Sequence, residues 1–170
     1  PWNGFSELDK QAHKMVYAYI LGKCEGEGNY DRLKLLEGGI FEFLHRIVLT
    51  DIKPPIYHLL MKEKGTQINE WVLQELKGKV ESLNGGFYDK LCRYFTDEKY
   101  AEKEKKILRA AHYYATSWEF EVIYPQNRTT YDIETVRREV ENGLARCNTF
   151  DGYSRFSTDP QLKEFLSLIG

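Results

Sequence analysis

Cysteine is scarce: Cys24, Cys92 and Cys147 are three in 170 residues, widely spaced and without a Cys-x-x-Cys pair. That argues against a disulfide framework or a cysteine zinc site and fits a reducing, cytoplasmic setting. Charge of one sign is also lacking. With 24 basic and 26 acidic residues the net charge is −2, which gives no drive toward nucleic acid or anionic lipid. No basic stripe with interleaved aromatics appears. No apolar run approaches the roughly 20 residues that span a bilayer, and no signal-peptide pattern opens the chain. Strand pairs, internal repeats, a Gly-x-Ser-x-Gly elbow and a Cys/His nucleophile signature are all missing. Gly38-Gly39 and Gly85-Gly86 have no strand-to-helix context for a phosphate loop. Asn127-Arg128-Thr129 fits a glycosylation acceptor, but without secretion the match is chance.

What remains is helical periodicity. Glu7 to Lys23 reads as a helix capped by Ser6, with apolar positions 8, 12, 15, 16, 19 and 20 on one face and Gly22, Gly26 and Gly28 at its end. Residues 31 to 49 are helical in pattern, with a break expected at Gly38-Gly39. Beyond the glycines they are apolar on nearly every side, as in a buried central helix. Pro54 and Pro55 stop it, and Pro55 suits the first position of a short helix through Met61. Further helices are expected at 67 to 83 capped by Thr66, at 87 to 95, at 98 to 123 capped by Asp97, at 132 to 147 capped by Asp132, and at 160 to 169. Residues 149 to 159 read as a polar loop. The expected fold is all-α: one domain over 1–170, an irregular bundle of seven to eight helices. The chain starts at Pro1 and closes on Phe165-Leu166-Ser167-Leu168-Ile169, which suggests a piece of a longer protein.

Chemistry is concentrated in histidines. His13, His45 and His112 each sit on an apolar-rich helix. A histidine on such a face is most often a hydrogen-bonded core residue. Neutral imidazoles are also the preferred ligands of zinc, iron and nickel, and three of them make a candidate set. Lys103-Glu104-Lys105-Lys106 and Arg137-Arg138 read as solvated faces. His58 reads as a helix-surface or partner-facing residue. Trp71 and Trp118 read as core packing.

The order and surroundings of the histidines resemble the HD-domain phosphohydrolases, in particular their 5′-deoxynucleotidase-like branch. The residues carrying the resemblance are His13, the segment His45-Arg46 through Leu49-Thr50-Asp51-Ile52-Lys53-Pro54-Pro55, and Ile107-Leu108-Arg109-Ala110-Ala111-His112. It covers roughly residues 6 to 125. It implies an all-α fold holding a divalent metal that activates water against a phosphate ester. The departures are specific. The family's doublet aspartate falls on Arg46, its downstream acid on Leu49 and its later aspartate on His112. A permanent cation in place of an anionic ligand repels a metal.

Two expectations follow from the resemblance. In the first, the chain is a non-hydrolytic binding, regulatory or dimerisation module of a larger HD protein, with Arg46 seated where a metal would be. A homodimer, or a second HD segment of the same protein, would be its partner. In the second, it is an active phosphohydrolase. His13, His45 and His112 would then hold a divalent Mn, Co, Zn, Fe or Ni ion with an open position for water. Asp51 would position water or substrate, and Lys53 or Arg46 would bind the phosphate of a nucleotide or related ester. The direction taken by Arg46 separates the two: pointing among the three histidines it excludes the metal, and turned to Glu42 on the surface, an i,i+4 pair, it leaves the site open.

Overall fold

A computed structural model of the chain describes residues 6–49, 52, 54–83, 86–123, 133–147, 156, 158–162 and 164. The fold is all-α. Six helices are present among the described residues and no strand is: α1 (Glu7–Glu25), α2 (Arg32–Val48), α3 (Pro54–Val80), α4 (Phe87–Thr96), α5 (Glu102–Ile123) and α6 (Ile133–Ala145). Residues 160–162 are also helical. The expected cap Asp132 lies outside the described residues, as does most of the expected final helix.

Ser6 starts α1 with a reciprocal capping box. Its hydroxyl accepts from the Asp9 amide, and the Asp9 carboxylate accepts from the Ser6 amide at 2.8 Å, so two orphan N–H groups are satisfied together. α2 begins where Asp31 Oδ1 accepts from the amides of Leu33 and Lys34. It runs unbroken through Gly38 and Gly39, both buried. The expected break is absent because the helix is held by packing on its buried side, where Leu35, Phe41, His45 and Leu49 lie, and packing outweighs propensity.

Two further boundaries differ from the sequence pattern. The helices expected at 55–61 and 67–83 are joined into α3, with a kink at Lys64, where φ is −135° and ψ 26°. Thr66 is inside α3, not its cap. Asp97 ends α4, its amide donating to the Arg93 carbonyl. Its side chain then accepts from the Lys99 amide in the following turn. Ala101 takes a left-handed φ of 54°, so α5 starts four residues later than Asp97-capping would place it.

The chain divides into two compact units, one of residues 1–36 with 103–170 and the other of residues 37–102. In the first, Tyr17, Ala18, Leu21, Ile107, Leu108 and Ala111 are buried. Gly22 makes room for the Tyr30 ring, which a Cβ would meet at 2.7 Å. Gly143 likewise lets α6 approach the Tyr113 ring. In the second unit, Phe41, Val72, Leu76 and Leu91 are buried, and Phe41 packs edge-on against Phe87 and Tyr94. Trp71, expected in the core, is 48 % exposed.

α1 carries the largest surprise. Its periodic apolar face is not the face that packs. Lys14, Tyr17, Ala18, Leu21, Gly22 and Glu25 are buried, while Leu8, Ala12, Val16 and Tyr19 are exposed.

Candidate functional site

The polar cluster around His45 is the richest in chemistry. Glu42, His45 and Arg46 share one side of α2 by their i, i+3, i+4 spacing. His45 is buried. Its Nε2–H donates to Oδ1 of Asn69 on α3 at 2.9 Å, and its ring stacks on Phe95 of α4 with centroids 4.6 Å apart. Burial lowers its pKa below the ordinary 6.5, against the opposing pull of the Asn69 hydrogen bond and the Glu42 charge. The imidazole is therefore neutral at pH 7, with its Nε2 committed to a protein acceptor.

Glu42 accepts a 2.6 Å hydrogen bond from the Tyr94 hydroxyl. Arg46 turns along the helix axis toward its exit. Its Nη1 reaches the carbonyls of Leu49 at 3.5 Å and Ile52 at 3.4 Å. The guanidinium also lies 5.9 Å from the centre of the Tyr57 ring. A cation at a helix C-terminus satisfies orphan carbonyls and complements the macrodipole. Burial, and then the charge of Glu42, pushes the Tyr57 hydroxyl up from its ordinary pKa, with Arg46 opposing. Arg46 works as a C-terminal clamp that ties the exit of α2 to the entry of α3.

The other two histidines have different surroundings. His13, on α1, is half-buried, and its ring lies edge-on to Trp118 of α5 with centroids 4.1 Å apart and tilted to Tyr17 at 5.0 Å. Both its ring nitrogens are buried without a hydrogen-bond partner among the described residues, and burial lowers its pKa. A salt bridge between Lys10 and Glu119, 2.6 Å, joins the same two helices. His112 is exposed on α5, its ring beside Tyr113.

The residues proposed as metal ligands are divided between the two units. His13 and His112 belong to the first unit and His45 to the second. Among the described residues no group of three His, Cys, Asp or Glu side chains is arranged to hold a metal ion. The three imidazoles have different surroundings: His45 is bonded to Asn69, His13 lies among aromatic rings and His112 is exposed. Asp51 and Lys53 lie outside the described residues. His58 is exposed, as its position after the double proline suggested.

Sequence reasoning missed the partners of the cluster. Nothing in the sequence marks Asn69 or Tyr94, because their roles arise from contacts 24 and 52 residues away along the chain. It also misread Lys103-Glu104 as solvated. Glu104 is buried and accepts from the Asp31 amide at 2.7 Å, placing a carboxylate at the start of α2 where the helix dipole favours one. Lys103 pairs with the buried Glu25 at 2.5 Å.

No helix among the described residues is long and apolar enough to cross a membrane. No protein-family model, curated protein or solved structure matches the chain.

Proposed function

We propose that the chain is a non-hydrolytic helical module, related to the HD-domain proteins, whose histidines serve packing and whose helices serve binding or dimerisation. The observation that carries this reading is the placement of Arg46. At the position where the resemblance calls for an anionic metal ligand, a permanent cation clamps the end of α2 through the Leu49 and Ile52 carbonyls. The commitment of His45 to Asn69 supports it. So do the exposed position of His112 and the aromatic surroundings of His13.

In this reading the Glu42–His45–Arg46 side of α2 is an internal strut. Tyr94 and Asn69 fix it from α4 and α3, and Arg46 fixes the turn that follows. The test is elemental analysis of purified protein after reconstitution with manganese, cobalt or zinc, together with a nucleotide phosphatase screen. The expected result is no stoichiometric metal and no turnover. About one metal per chain, lost in His45→Ala, with phosphate release from a nucleotide, would overturn the proposal.

A further inference from the structure

α3 is one helix by its course and two by its burial. Beyond the kink, Val72, Leu73, Leu76 and Val80 are buried and anchor residues 72–80 in the core of the second unit. Before the kink, none of residues 56–63 is buried, and Ile56 and Leu59 are 53 % and 56 % exposed. The halves meet at Lys64, whose φ of −135° and ψ of 26° leave the helical region. Gly65 follows it, and glycine holds a helix less well than any residue but proline. Among the described residues, a Cβ at Gly65 would meet only the flexible end of Met61, at 3.7 Å. Close packing therefore does not brace the junction.

The first half is fastened from the Arg46 side of α2. The guanidinium lies 5.9 Å from the centre of the Tyr57 ring. It also donates to the Ile52 carbonyl, in the turn just before α3, at 3.4 Å. That length is long for a hydrogen bond, and a cation so far from a ring centre is at the outer limit of its attraction. The fastening is weak. A helical segment as short as 54–63 is not stable alone in water. If it leaves α2 it also loses its own hydrogen bonds, so detachment and local unfolding are one event. Elements that move are drawn from such lightly buried parts of a fold.

We propose that residues 56–63 are a hinged strap, latched by Arg46 against Tyr57 and the Ile52 carbonyl, that opens at Lys64-Gly65 while the rest of α3 stays folded. Asn69 lies beyond the hinge, so its bond to His45 survives the opening. The device goes beyond the strut reading, in which Arg46 is a fixed clamp. It takes from that reading only the contacts of Arg46 and nothing about metal, so the two fail separately.

Hydrogen exchange of the full chain, read by mass spectrometry on short peptides, tests this. Residues 57–63 should exchange at least about tenfold faster than 72–80. Arg46→Gln removes the cation and should speed 57–63 by a further factor of about ten, leaving 72–80 unchanged. Tyr57→Leu should act in the same direction on the same residues. Gly65→Ala strengthens the junction and should slow 57–63 by about fivefold; it serves if the latch variants lose helicity overall. Equal protection of the two halves in the wild-type chain would overturn the proposal. So would latch variants that speed both halves alike, or that leave 57–63 unchanged.

Discussion

His45 and His13 look alike in the sequence and differ in the fold. Both sit on helices rich in apolar residues, and both have pKa values lowered by burial. Yet His45 has a designated acceptor in Asn69 and a stacking partner in Phe95. His13 has aromatic rings around it and no hydrogen-bond partner for either nitrogen among the described residues. The comparison teaches that the value of a buried polar side chain lies in its partner. A satisfied imidazole adds to stability, whereas an unsatisfied one costs the desolvation of its N–H.

Four substitutions or conditions break or sharpen that contrast. The largest effect is expected at His45. His45→Leu strands the Asn69 side chain and removes the stack on Phe95, so it should destabilise by about 2–3 kcal/mol in urea unfolding. Adding Asn69→Leu should recover part of that loss, because replacing both members of a pair avoids an orphaned group. A double-mutant cycle that proves additive would remove the pairing from the account.

The second effect lies in the His13 unit, at a group that does have a partner. Glu104→Ala takes the carboxylate from the Asp31 amide at the start of α2. A loss of about 2 kcal/mol is expected, read as a lowered thermal midpoint. An unchanged midpoint would mean that α2 starts equally well without Glu104.

Third, His13→Phe should be nearly neutral, within about 1 kcal/mol, and on the stabilising side if it shifts at all. The ring keeps its aromatic contacts and sheds two nitrogens that have no hydrogen-bond partner among the described residues. A loss as large as that of His45→Leu would reveal a partner for His13.

The smallest effect is the pH dependence. Both histidines have folded pKa values below the ordinary 6.5. The unfolded chain therefore binds protons first as pH falls. The stability that the neutral rings contribute is fully present above about 6.5 and is lost as pH drops from there toward the folded values. The urea midpoint should decline over that window, and the slope should lessen in His45→Leu. A midpoint that rises on acidification would contradict the sign.

The all-α class was readable from 3.6-residue periodicity, and the start of α1 from Ser6, because caps and amphipathic patterns are local. Other features needed contacts distant in sequence. The orientation of α1 could not be read, since a helix apolar on two sides does not declare which side is core. Gly38-Gly39 read as a break because propensity counts against glycine, while burial of the surrounding face kept α2 whole. Asp97 read as a helix start, yet its amide closes α4. In the polar cluster, His45 and Arg46 were singled out from sequence, but Asn69 and Tyr94 were silent.

The central claim is that His45 spends its Nε2–H on Asn69 rather than on a metal. Side-chain NMR of histidine-labelled protein, followed while zinc is added, tests it directly. The account predicts an Nε2–H tautomer for His45 and no concerted response of His13, His45 and His112 at stoichiometric zinc. Simultaneous shifts of all three at one equivalent, with loss of the His45 Nε2 proton, would contradict it.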